Sequence, residues 1–141
     1  MLTVANIMTS DPATAGRSAS LGEILSLMKA RNCRQIPIVE DGQVIGIVSD
    51  RDIRLAMNSS FVLHERAQDQ ALLTQVTAEA CMTHNPMTIE ADEPAVKAAE
   101  LLLTYKFGGL PVVRQNRIVG IVTVSDILRS YIELIRERHA G

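Results

Sequence analysis

The sequence predicts an α/β protein made of two copies of one β-α-β-β-α unit, packed about a pseudo-two-fold axis. Three observations carry that prediction. The run Met8-Thr9-Ser10-Asp11-Pro12, Gln35-Ile36-Pro37-Ile38-Val39 and Gly46-Ile47-Val48-Ser49-Asp50-Arg51-Asp52-Ile53 recurs without a gap. Its second appearance reads Met82-Thr83-His84-Asn85-Pro86, Gly109-Leu110-Pro111-Val112-Val113 and Gly120-Ile121-Val122-Thr123-Val124-Ser125-Asp126-Ile127. Each copy also places two short apolar runs on either side of a turn. Those runs are continuous rather than alternating, the pattern of strands covered by helices on both faces. One copy alone cannot cover both faces of its sheet, so the copies are expected to pack on each other.

The elements follow in order. An extended piece opens each copy around Pro12-Ala13-Thr14-Ala15 and Pro86-Met87-Thr88-Ile89, since proline turns the residue before it away from helix and Thr and Ile favour strand. A helix comes next. In the first copy Leu21, Ile24, Leu25 and Met28 fall at helical spacing, and Ser20 with Glu23 has capping-box spacing, with Ser18 a rival cap. In the second copy Asp92 is the expected N-cap, Pro94 fits the first turn, and Val96, Ala99 and Leu103 form the stripe. Two strands follow, Ile36 to Val39 and Val44 to Val48, joined through Asp41-Gly42, a strong hairpin signal. Gln115-Asn116 stands at that turn in the second copy. The closing helices start near Asp50 and Ser125, the second running on through Ile132, Leu134 and Ile135. The domain reading is therefore repeat one at 4–58, a linker with a helix at 59–77, repeat two at 78–132 and a helical extension at 133–141. Val62, Leu63, Leu72 and Leu73 are the linker's apolar residues.

Composition narrows the function. A 47% hydrophobic fraction with 3% aromatics and no Trp demands an aliphatic core. A net charge of -2 gives no field to gather nucleic acid or anionic lipid, and stacking platforms for single strands are missing. No stretch is long and apolar enough for a bilayer, and Met1 to Met8 lack the basic and apolar regions of a secretory signal. A cytoplasmic protein is the expectation. Cys33 and Cys81 do not occupy matching positions, His64, His84 and His139 are scattered, and Cys81 and His84 lack a second pair to hold zinc. No phosphate-binding glycine loop, nucleophile elbow or metalloprotease helix is present. Asp50, Asp52 and Asp126 have no adjacent group that would make them acids or bases, so no catalytic residue, cofactor or metal is assigned.

The repeated Met-Thr-x-x-Pro, the Pro-(Ile/Val)-Val strand and the Gly-Ile-Val-(Ser/Thr)-x-x-Asp ending resemble the CBS domain, and the tandem resembles a CBS pair, or Bateman module. Gly108-Gly109-Leu110-Pro111-Val112-Val113 and Ser49-Asp50-Arg51-Asp52-Ile53-Arg54 are further similar to stand-alone bacterial members, including the acetoin-utilisation type. The resemblance implies binding of an adenosine-containing ligand (AMP, ADP, ATP or S-adenosylmethionine) in clefts between the repeats. It also implies a regulatory role and a homodimer through the repeat helices, for which Ile127, Ile132 and Ile135 are interface candidates. An unidentified effector protein would receive the signal, because no effector domain is visible.

At the strand-to-helix junctions the resemblance assigns Ser49 with Asp52, and Thr123 with Asp126, to ribose and phosphate; Arg51 and Ser125 lie between them. An Asp carboxylate accepts from ribose hydroxyls, and hydroxyl and helix N-terminal N–H groups donate to phosphate. The same residues at the same spacing also cap helices, and both roles can coexist. Arg34 and Arg51 are either phosphate contacts or solvated charges. Their counterparts are Gly108 and Ser125, so a phosphate role for the arginines would make the two sites unequal. By analogy, Thr14, Ala15, Ile36, Pro37, Met87, Thr88, Ile89, Gly109, Leu110 and Pro111 wall the adenine, although each apolar member also suits an ordinary core. Gly108-Gly109 either admits a ligand or ends a helix. The competing reading is a ligand-free structural or protein-interaction pair, and the third is an enzyme acting on a nucleotide.

Overall fold

The computed structural model describes residues 1–57 and 66–140, with side chains omitted for 66–68 and 140. In chain order its elements are α1 (Val4–Ile7), β1 (Thr9–Ser10), α2 (Leu21–Arg31), β2 (Gln35–Glu40), β3 (Gln43–Ser49), α3 (Asp50–Met57), α4 (Arg66–Gln75), α5 (Ala78–Cys81), β4 (Thr83–His84), β5 (Ile89–Glu90), α6 (Ala95–Tyr105), β6 (Gly109–Arg114), β7 (Arg117–Thr123) and α7 (Val124–Ala140). They form two compact units. The first is Ala13–Pro86, and the second joins Met1–Pro12 to Met87–Gly141.

The first unit carries a three-stranded sheet in the order β2-β3-β4. Ala15 bridges to Ile38 in parallel beside β2. The second unit carries a four-stranded sheet in the order β1-β7-β6-β5, with β5 parallel to β6. Both hairpins are antiparallel and bulge at the same place, between Ile38 and Val39 and between Val112 and Val113. The shared irregularity shows that the repeat extends to backbone detail. Two cores result: one around Leu21, Ile24, Ile36, Ile38 and Val48, the other around Val4, Ala98, Leu110, Val112 and Val122. The apolar runs of β2 and β6 are buried, and β7 buries Gly120, Ile121 and Val122 in succession, whereas β3 alternates between buried and half-buried positions from Ile45 to Ser49.

Each unit borrows its edge strand from the start of the other copy. Thr9 and Ser10 pair with Ile121 and Gly120, while Thr83 and His84 pair with Ile47 and Gly46. The preceding methionines fix this exchange. A Cβ on Gly120 would stand 2.5 Å from Met8 Sδ and 2.8 Å from the Thr9 carbonyl. A Cβ on Gly46 would fall inside contact distance of the Met82 thioether. Glycine is thus required by close approach of the borrowed segment, not by a special φ. Asp11 and Asn85, just before the prolines, turn the chain with φ of 52° and 47°. The expected extended conformation there is replaced by a left-handed one, which Asp and Asn tolerate.

Several sequence expectations need correction or completion. Ser20, not Ser18, caps α2, accepting from the Glu23 N–H at 3.2 Å. Asp92 does not cap α6; Pro94 holds that position. The helix starts later because the N-terminal segment docks there, with Thr3 bridging Pro94 and the Ala95 N–H donating to the Leu2 carbonyl. The core stripe of α6 is Ala98 and Leu102, while Val96 and Leu103 point outward. The linker helix is α4, which packs on α2 and brings Leu73 against the first core. Val62, Leu63 and His64 lie outside the described residues.

Both hairpins turn through two residues with positive φ, Asp41-Gly42 and Gln115-Asn116, the arrangement of a type I′ turn. Only the first uses a residue pair suited to it. Replacing Gln115 by Asn together with Asn116 by Gly is therefore expected to stabilise the protein by about 1 kcal/mol, read as a raised urea midpoint at unchanged slope. Gly46→Ala and Gly120→Ala are each expected to cost about 1–3 kcal/mol by overpacking. Met82→Ala should rescue Gly46→Ala. Met8→Ala should rescue Gly120→Ala only in part, because the Thr9 carbonyl also stands in the way. Equal rescue in a double-mutant cycle would refute this account of the exchange.

Candidate functional site

Each unit presents one strand-to-helix junction. In the first unit β3 ends at Ser49 and α3 begins at Asp50. Ser49 N–H donates to Asp52 Oδ2 at 2.8 Å, and Asp52 N–H donates back to Ser49 Oγ at 3.1 Å. This reciprocal pair is a capping box. The Asp50 N–H donates to the Arg34 carbonyl at 3.1 Å, so two donors of the helix N-terminus are already engaged. Asp52 is half-buried, and among the described residues its Oδ1 has no partner.

The second junction repeats the frame and adds to it. Thr123 N–H and Oγ1 both meet Asp126 Oδ2, at 2.8 and 3.0 Å, and the Asp126 N–H reaches Thr123 Oγ1 at 3.3 Å. The Val124 N–H donates to the Gly108 carbonyl at 3.3 Å. Asp126 Oδ1 accepts from Thr9 Oγ1 at 3.2 Å and from Arg129 Nη1 at 2.9 Å. Asp126 is only 2% exposed, the one charged residue buried among those described. Both its oxygens are occupied, which a buried carboxylate requires.

The asymmetry expected from Arg34 and Arg51 thus has a further source. Arg129 follows Asp126 by three residues on α7, and its counterpart after Asp52 is Leu55. Helical spacing alone could have flagged that ion pair. Thr9 could not be flagged, because it arrives from the opposite end of the chain. A groove of about 220 Å³ runs beside this junction, between α1 and α7, lined by Asn6, Ile7, Asp126, Arg129 and Glu133 among others.

The remaining candidates separate into two groups. Arg34, Arg51, Ser125 and Thr88 are exposed, and Thr14, Ala15 and Met87 are half-buried. Ile36, Pro37, Ile89, Gly109, Leu110 and Pro111 are buried within their own unit's core. Within the first unit Ala15 lies beside β2, its N–H on the Pro37 carbonyl at 3.1 Å. Within the second, Ile89 is registered against Val112. The left-handed residue that ends α6 is Lys106, and Gly108, with Gly109 opening β6, lies beyond it, so the glycines are not what ends the helix.

The chain belongs to the CBS domain family. The model for that domain matches residues 4–59 and 78–133. Among solved structures, one described as an acetoin utilization protein (AcuB) of Vibrio cholerae superimposes with a TM-score of 0.82 at 29% identity, covering 100% of this chain and 98% of the other. The CBS domain pair of protein MJ0100, in complex with 5′-methylthioadenosine and S-adenosyl-L-methionine, gives 0.77 at 32% identity, covering 93% and 96%. CBSX2 in complex with AMP gives 0.79 at 25% identity, covering 94% and 98%.

Burial and, secondarily, the Asp52 carboxylate push the Cys81 thiol above its ordinary pKa. Cys81 is therefore a reporter of charge at this junction. Asp52→Asn is expected to move the pH profile of Cys81 alkylation to lower pH, with Cys33→Ser removing the second thiol. An unmoved profile would show that the carboxylate is not felt there. Stability should separate the junctions too. Asp126→Ala strands several donors and is expected to cost about 3 kcal/mol, whereas Asp52→Ala loses a cap worth about 1 kcal/mol, both read by urea unfolding.

Proposed function

We propose that this chain is a regulatory module that binds an adenosine-containing ligand and signals by changing its conformation or its affinity for a partner. The observation that carries the reading is the junction present in both units, a Ser or Thr hydroxyl and an Asp carboxylate at the first turn of a helix. Asp52 keeps one oxygen available for a ribose hydroxyl, and the exposed Arg34 and Arg51 supply fixed donor forks for phosphate. Support comes from the related pairs solved with AMP and with S-adenosyl-L-methionine and 5′-methylthioadenosine. Thr14, Ala15, Met87 and Thr88 are the accessible members of the proposed adenine wall, and Ser49, Thr123, Ser125 and Asp126 complete the polar set.

The reading includes a cytoplasmic location, a homodimer, binding without turnover, and output through an effector protein or the oligomer itself. Among the described residues no helix is long and apolar enough to cross a membrane. A second reading, a structural or protein-interaction pair without ligand, is favoured by one specific observation: both Asp side chains cap their helices, and Asp126 has no oxygen left over.

Thermal unfolding with AMP, ADP, ATP and S-adenosylmethionine decides between them. A ligand at a hundredfold excess over its Kd adds about 2.7 kcal/mol to the folded state. The expected result is a clear rise in midpoint with at least one of the four. That rise should be lost in Asp52→Ala, and reduced for phosphorylated ligands in Arg34→Ala with Arg51→Ala. No rise with any of them would establish the ligand-free reading.

A further inference from the structure

We propose that Met8 is a modification site, oxidised by a peroxide to the sulfoxide, and that this oxidation releases β1 and the hold of Thr9 on Asp126. The proposal goes beyond the ligand reading and does not rest on it. The two methionines seated on glycines differ in access. Met82 is 7% exposed and belongs to the first core, whereas Met8 is half-buried at the margin of the second. Of the two methionines that seat a borrowed strand, Met8 is therefore the one that solvent reaches.

The chemistry needs only the thioether and hydrogen peroxide. The sulfur lone pair attacks one peroxide oxygen, and the O–O bond breaks as the S–O bond forms. The departing hydroxide takes the proton of the transferred hydroxyl and leaves as water. Sulfur is oxidised by two electrons, and the peroxide is reduced by the same two. The product does not fit the seat. A Cβ on Gly120 would lie 2.5 Å from Met8 Sδ and 3.0 Å from its Cγ, so the sulfur face against the strand has no room for an added oxygen. An oxygen on the other face makes the side chain polar and draws it toward water.

β1 can leave without unfolding the unit. It has two residues, both exposed, paired with Ile121 and Gly120, and so small an edge opens at low cost. On its N-terminal side Val4 is fully buried, and its N–H donates to the Glu93 carbonyl at 2.8 Å, so α1 stays docked. Thr9 follows Met8 directly, and its Oγ1 donates to Asp126 Oδ1 at 3.2 Å. Release of β1 removes that donor and leaves Arg129 as the partner of this oxygen among the described residues. Met82 is shielded, so peroxide changes the second junction and spares the first.

Peptide mass spectrometry and amide hydrogen exchange on the full chain, before and after hydrogen peroxide, test this. Met8 is expected to gain one oxygen well before Met28 and Met82. Residues 8–10, 120 and 121 should then lose exchange protection, while Val4 and Ala5 keep theirs. The carboxyl carbon resonance of Asp126 should move in the same direction as it does in Thr9→Val. Methionine sulfoxide reductases should restore protection and resonance together. Met8→Leu, which cannot take the oxygen, should show no loss on the same treatment. The reductase arm uses wild type alone, so it decides even if leucine itself loosens β1. Met8 left unoxidised under conditions that convert it in the urea-unfolded chain would overturn the proposal. So would oxidation of Met8 with protection or the Asp126 resonance unmoved, or an equal loss of protection in Met8→Leu, or Met82 oxidised as fast as Met8.

Discussion

The seating of a methionine on a glycine holds each unit together. Met8 lies over Gly120 and Met82 over Gly46, and in each case the methionine belongs to the copy whose hairpin it does not complete. Without these contacts β1 and β4 would have no surface to approach, because any Cβ on β7 or β3 at those points would hold the borrowed strand away. The backbone hydrogen bonds that lie alongside depend on them. Val4 N–H donates to the Glu93 carbonyl, Ala5 N–H to that of Ala91, Leu21 N–H to that of Val76 and Ala78 N–H to that of Ala19. A thioether suits the task, being unbranched and able to fill an irregular gap.

The same exchange makes the junctions unequal. Thr9 comes to Asp126 on the borrowed strand, and Arg129 comes from the helix that Asp126 caps. Asp52 has neither a bond from Thr83 nor an arginine one turn on. In the proposed function, Asp52, with one oxygen unpartnered among the described residues, would take up a polyhydroxylated ligand with little rearrangement. A carboxylate that already accepts from Thr9, Thr123 and Arg129 must give something up first. Under the proposed function the two junctions would therefore differ in responsiveness as much as in affinity.

The sequence made the hairpins, the order of elements and the repeat legible, because each is written locally: Asp41-Gly42, the apolar runs, the recurring Gly-Ile-Val. The junction residues were legible for the same reason, and so was their double meaning as caps and ligand groups. What failed was whatever a distant segment decides. On α6, Ala98 with Leu102 and Val96 with Ala99 and Leu103 both fall at helical spacing, so periodicity cannot choose between them. The choice belongs to α1, which packs on α6 from the far end of the chain. The start of α6 moved from Asp92 for a related reason, since Leu2 and Thr3 dock beside Pro94 and Ala95. Sequence repeats and compact units are offset because the chain passes to the other unit after Pro12 and again after Pro86.

That offset sets an order of assembly during synthesis. The first unit is one continuous stretch and has all its strands once Pro86 has left the ribosome. The second needs the first twelve residues and the last fifty-five together. At the usual pace of translation, roughly 5–20 residues per second, Met8 and its strand wait for seconds with no sheet to join. Residues 1–12 are made before the rest of their unit and are among the last to be placed. Nascent chains of this design therefore carry an unsatisfied strand, and chaperones or a neighbouring nascent copy have a window in which to meet it.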